Sequence, residues 1–329
     1  MTSRNPEMIW EDKGRTGLAW EDLSERFSLK LHSILRYSGR FHYTLWEREV
    51  IGPDFFERTG QFAPIYSMEM QVTDEPLDMR EPLVVETAIR LGRTVDAAGR
   101  ATRIVSQSEQ RLAGTSADGR PVEVGRIRKH SVFTRPVGSR PEVPRADSKG
   151  ASDDAREARR VTSLHESLGL APEPPRVVTL LTASDLSVPH ADFDPDPDRP
   201  AVTFADDRPH VWGYEQTDPN RHVHAMDYVK VFETFGWDHL ADHGIPASDH
   251  FYDGCRIVFR APCFRGERFL RKARFEPRTA RGGGGGLILG RLFKVGKDGN
   301  PADPSRPAIA IQLGVRPNLH PRAGGHDSE

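Results

Sequence analysis

The stretch YEQTDPNRHVHAMDYVKVFETFGWDHL, residues 214–240, concentrates the side chains that could do chemistry. Asp218 is a carboxylate able to act as a general base or a nucleophile. His222 follows four residues later, where a starting helix would offer free backbone N–H groups to a developing oxyanion. Asn220 between them can hold a turn through its side-chain amide. The same residues have a plainer use. Asp218-Pro219 is an ordinary helix start, with Asp218 as the cap and Pro219 at the first helical position. Asp218 therefore either caps or reacts, and His222 and His224 are either surface or site residues. On a regular helix His222, Met226, Val229, Lys230 and Glu233 share one face. His224, Asp227, Tyr228 and Val231 then lie on the other, so the two histidines point apart. No metal site is expected: His239 and His243 are four apart but lack the glutamate of a zinc-binding helix.

The elements that would position this stretch repeat along the chain. Residues 1–36 are polar, with Leu18, Leu23, Phe27, Leu29, Leu31 and Ile34 spaced for a leader helix. FHYTLWEREVI at 41–51 alternates and reads as a strand. Gly52-Pro53-Asp54 breaks it, and a short helix is expected over 54–60. Four strands follow at 65–72, 83–92, 101–114 and 125–135, parted by Gly, Asp and Pro turns. The composition then shifts to Pro, Ser, Asp and Arg, which reads as a linker. A second unit begins near 209: a strand at 210–217, a helix over 220–243 ended by Gly244 and Pro246, and strands at 255–262, 268–277, 287–296 and 308–316. The five glycines at 282–286 read as a loop, without the lysine and hydroxyl of a phosphate loop. The expected organisation is an extension over 1–37, a first unit over 38–136, a linker over 137–208 and a second unit over 209–329. Both units share the order strand, helix, four strands. The fold class expected is α+β, with two antiparallel sheets, each wrapped around a helix and joined edge to edge.

Here the residues resemble a known motif. Asp218, Asn220, His222, Val223 and Tyr228 stand as in the hot-dog fold acyl-CoA and acyl-ACP thioesterases, whose motif reads aspartate, any residue, asparagine, glycine, histidine, valine, two asparagines and, after a gap, tyrosine. Arg221 replaces the glycine, and His224 and Ala225 replace the paired asparagines. The resemblance covers about 209–317, with a degenerate copy over about 38–136, and so implies a double hot-dog. It implies that Asp218 is the base or nucleophile on an acyl thioester and that the helix start polarises the carbonyl. A site at the seam would draw on the first half, where Glu49 leads and Asp54, Gln61 and Tyr66 are further candidates. Tyr228, Tyr66, Arg260 and Arg265 are expected to bind substrate, the arginines pairing with phosphates of a carrier arm or coenzyme A.

Composition bounds the rest. The chain of 329 residues carries a net charge of -2, which gives no support to nucleic-acid binding or a polybasic membrane anchor. Two cysteines exclude a disulfide scaffold. The polar start and the lack of a long apolar run lead us to expect a cytoplasmic protein. The activity expected is hydrolysis of an acyl thioester on a carrier protein or coenzyme A, in lipid or polyketide biosynthesis, without a cofactor and as a possible homodimer. Acyl transfer, dehydration, cyclisation and non-catalytic acyl binding are the alternatives.

Overall fold

The computed structural model describes residues 9–46, 50, 63–95, 101–133, 180–186, 201–218, 221–278 and 284–319. The expected helix at 54–60 and the linker over 137–170 lie outside these residues. Among the described residues, no helix is long and apolar enough to cross a membrane.

The strands are β1 (Ile9–Thr16), β2 (Ile65–Val72), β3 (Leu83–Val95), β4 (Ala101–Thr115), β5 (Pro121–Val132), β6 (Val202–Ala205), β7 (His210–Val211), β8 (His250–Phe259), β9 (Arg268–Pro277), β10 (Gly286–Lys294) and β11 (Ile309–Pro317). Two α-helices cross them, α1 (Ile34–Leu45) and α2 (Ala225–Leu240). The first half runs strand, helix and four strands through β1, α1 and β2–β5, elements other than the strand and helix expected at its start, and the second half runs two short strands, a helix and four strands. The two sheets expected from that repeat are one. All strands pair antiparallel in a single 11-stranded sheet, ordered β1-β3-β4-β5-β2-β8-β11-β10-β9-β6, with β7 beside β9. The joint is β2 against β8, with Met68 opposite Ile257, Glu69 opposite Arg256 and Met70 opposite Cys255. Pairing there leaves neither half with an open inner edge.

Two early expectations are overturned. The leader is not a helix. β1 pairs with β3, and Leu23, Leu29 and Leu31 reach the core from the chain between β1 and α1. Nor does a strand begin at Phe41, since Phe41–Leu45 ends α1. Ile34, Tyr37, Phe41 and Leu45 recur every three or four residues, and all but the partly buried Phe41 are buried. A window opening at Phe41 cuts that period off and leaves only an alternation. The strand expected at 210–217 shortens to β7. Trp212 stacks on Phe269 at 4.2 Å, and the Gly213 N–H donates to Gln216 Oε1 at 2.8 Å, closing a tight turn instead.

α2 lies across the inner face of the second half. Val229, Phe232, Phe235 and Leu240 join Ile257, Ile288, Ile311 and Leu313 in the main core, which continues into Met68, Met70 and Ile127 of the first half. Burial of each large side chain contributes about 1.5–3 kcal/mol. Gly290 allows the helix its close approach, because a Cβ there would lie 2.5 Å from the Phe232 ring. The opposite face of the second half is covered by 180–186, where Leu181, Ala183 and Leu186 pack on Val258, Leu289 and Ala310.

Under α1 the first half is unusually polar. Lys129 is only 4% exposed, and its ammonium donates to Ser38 Oγ and Gln110 Oε1, each at 3.1 Å. Neither partner is charged, and burial pushes the amine down to about 7 from 10.5. Between those two values the unfolded chain holds a proton that the folded chain lacks, so stability rises with pH there and is lowest below about 7. Lys129→Met should remove that slope and raise stability at pH 7 by about 1 kcal/mol or more. Urea unfolding of both proteins across this range checks it, and parallel curves would overturn it.

Candidate functional site

The turn that opens the second half is closed by Asp218 itself. Its Oδ1 accepts the His222 N–H at 2.9 Å, and its own N–H donates to the His222 carbonyl at 2.8 Å. The Arg221 N–H donates to the Asp218 carbonyl at 2.8 Å. The flanking residues Thr217 and Val223 bridge, as do His222 and Phe264. Asp218 therefore does not cap the helix. α2 starts at Ala225 with His224 as its cap residue, although the His224 side chain makes no capping bond. The helix expected from 220 begins five residues later, and the orphan N–H groups follow His224 rather than Asp218. The hydrogen bonds of the Asp218–His222 turn consume the residues that an Asp-Pro signal would assign to the first helical turn.

Arg221 occupies the position of the glycine in the motif, and its φ is 66°. That is the left-handed region, which glycine enters freely and arginine does not. The turn thus keeps a glycine-type backbone and adds a guanidinium. The Arg265 N–H donates to the Arg221 carbonyl at 3.1 Å, tying two exposed arginines to one corner. The Arg265 guanidinium sits 5.5 Å from the centre of the exposed Tyr214 ring.

Other sequence candidates fall in different places. The half-buried His222 ring lies 4.9 Å from Phe264, and His224 is exposed. Neither histidine is on α2, so their predicted opposition across a helix does not arise. Tyr228 is buried; its hydroxyl accepts the Cys263 N–H at 2.9 Å, and its ring packs on Trp212 and Phe259. Burial pushes this phenol well above its ordinary range. Tyr228 so holds the 263–264 segment against α2 behind His222. Arg260 is exposed at the end of β8, its backbone N–H on the Ala308 carbonyl at 2.8 Å. Tyr66 is not brought to the turn. It packs with Leu180, Val105 and Val132, and against Val258, on the face of the sheet away from α2. Asn220, Glu49, Asp54 and Gln61 lie outside the described residues.

Three titratable residues that the motif did not single out stand on α2 or against it. His32, in the segment before α1, contacts Glu233 of α2 through Nδ1 and Oε2, so an imidazole of the first half pairs with a buried carboxylate of the second. Asp227, in the first turn of α2, is 6% exposed, and its Oδ2 has no hydrogen-bond partner among the described residues. Burial raises its pKa against the opposing pull of His224, Lys230 and His32. The only sequence signal for Asp227 was an acid between apolar helix positions. His32 gave none, because its partner is 201 residues away.

No protein-family model matches the sequence, and no curated protein matches it. Solved structures do match the fold. A Lactobacillus plantarum protein described as an oleoyl thioesterase superposes with a TM-score of 0.55 at 13% identity, covering 96% of this chain and 98% of that one. The 12:0-ACP thioesterase from Umbellularia californica gives 0.53 at 11% identity, over 94% and 98%. An acyl-ACP thioesterase from Bacteroides thetaiotaomicron gives 0.53 at 10% identity, over 93% and 98%. At these identities the likeness shows that the chain shares the fold of these structures.

Arg221→Gly should relax the left-handed backbone. Relief of about 1–2 kcal/mol, partly offset by the greater freedom of glycine in the unfolded chain, should leave a net gain of about 0.5–1 kcal/mol. Thermal unfolding measures it, and a lower midpoint in the variant would contradict the strain argument.

Proposed function

We propose that the protein hydrolyses an acyl thioester carried on an acyl carrier protein or coenzyme A. The observation that carries this reading is the Asp218–His222 turn, closed by the Asp218 carboxylate and leading into a buried helix, in a chain with the fold of acyl-ACP thioesterases. Oδ1 of Asp218 is engaged by the turn, which fixes the carboxylate and leaves the second oxygen outside that bond. That oxygen attacks the thioester carbon or activates the water that does. His222 positions the carbonyl, Asn220 steadies the turn, and the N–H groups after His224 stabilise the oxyanion. Glu49 is the first-half residue assigned to the same site. Arg260 and Arg265, joined by Arg221, take the phosphates of the carrier arm. Tyr228 acts through the wall it supports, and Tyr66 through the sheet face it covers. The reading also treats the chain as a double hot-dog divided at 38–136 and 209–329, acting in the cytoplasm on lipid or polyketide intermediates.

A second reading has one observation behind it. The His32–Glu233 contact joins an imidazole and a carboxylate across the halves, the pairing a dehydratase uses on a hydroxyacyl thioester. Hydration or dehydration leaves the thioester intact, whereas hydrolysis frees a thiol. Acyl transfer and cyclisation also consume the thioester but yield no free acid.

The test is thiol and acid release from acyl-carrier and acyl-coenzyme A thioesters by the purified protein, beside Asp218→Asn. Asparagine keeps the Oδ1 acceptor of the turn, so folding should change by less than the about 0.5–2 kcal/mol of a lost cap. Turnover should fall about 100-fold or more. Near-normal turnover in a folded variant would move the chemistry off Asp218.

A further inference from the structure

Resting on the thioester reading, we infer that Asp227 is the second catalytic carboxyl group of the site, the one that protonates the departing sulfur. Two carboxyl groups flank the start of α2 in unlike surroundings. Asp218 is half-buried, and one of its oxygens is held by a backbone N–H. Asp227 is more than nine-tenths buried, and its Oδ2 makes no hydrogen bond among the described residues. A buried carboxyl oxygen without a partner is costly, and the cost is recovered when a ligand supplies the missing atom. The groups around it are His224 and Lys230 from its own helix and cap, Glu215 from the preceding turn, and His32 from the first half. His32 is in turn engaged by Glu233. Burial is the largest influence and favours the protonated acid. A fixed nucleophile and a second carboxyl of raised pKa at one helix start is the division of labour that two-carboxylate enzymes use.

The steps balance. The Asp218 carboxylate oxygen bonds to the thioester carbon, the C–S bond breaks, and the sulfur leaves as a thiol with the Asp227 proton. Water then attacks the acyl carbon of the anhydride, giving its proton to the Asp227 carboxylate. The anhydride C–O bond breaks, releasing the free acid and restoring both carboxyl groups.

This role has a leaving-group signature. An alkyl thiol such as coenzyme A needs the proton, while a p-nitrothiophenolate does not. Asp227→Asn, compared on an acyl-coenzyme A and the p-nitrothiophenyl ester of the same acyl group, should lose about 100-fold on the first and little on the second. In the wild type, kcat/KM for coenzyme A esters should fall as pH rises past the raised Asp227 pKa. The thiophenyl ester should lack that limb. Equal loss on both substrates, no loss on either, or identical wild-type pH profiles would overturn the assignment while leaving thioester hydrolysis intact. A wild-type protein that cleaves neither ester would sink the hydrolase reading itself, and the Asp227 role with it. The pH comparison needs no variant, so a poorly folding Asp227→Asn protein does not shelter the proposal.

Discussion

The pairing of β2 with β8 is the constraint on which the rest depends. Five residue pairs, from Ser67–Val258 to Gln71–Gly254, join two half-sheets built in the same order. Glu69 and Arg256 sit opposite one another at its centre, with Nε to Oε1 at 3.6 Å. A register slip of one residue would turn Met68, Met70, Cys255 and Ile257 out of the core they share with α2. The apolar alternation on both strands therefore specifies the joint. Once it is made, both helices lie on one face of one sheet, and the segment before α1 comes against α2.

That arrangement explains how His32 and Glu233 can pair and why Asp227 is buried. α2 is apolar on most of its surface, so acids at 227 and 233 cannot both reach solvent when the helix packs on β8–β11. Glu233 is compensated by His32, and its backbone carbonyl accepts the Tyr252 hydroxyl at 2.9 Å. Asp227 is left with an unmatched oxygen at the helix start. The first half shows the complementary asymmetry. Among its buried ionisable groups is an amine, Lys129, matched by a hydroxyl and an amide rather than by an acid. The two halves share a path of the chain but not a chemistry. The motif occurs in the second alone, where the turn, the cap and the buried acid are neighbours.

Much of this was legible in the sequence. IYSMEMQV and RFLRKARFEP alternate with enough bulk to mark β2 and β9 to the residue, and Gly, Asp and Pro punctuation bounded most of the others. Asp218 marked the approach to a buried helix, though not its first residue, and Gly244 marked its end with a φ of 75°. These features rest on local periodicity and turn chemistry, which neighbouring residues decide among themselves. What tertiary structure decided was everything that joins distant segments. FHYTL alternates like a strand and became the end of a helix because Ile34 and Tyr37 pack on the same core. The helix start moved past Asp218 because the His222 N–H found a carboxylate within its own turn. The union of two sheets, the His32–Glu233 contact and the isolation of Asp227 Oδ2 follow from β2 meeting β8 across nearly 200 residues of chain. No periodicity encodes such a meeting, because its free energy comes from surface buried only when both halves are already formed.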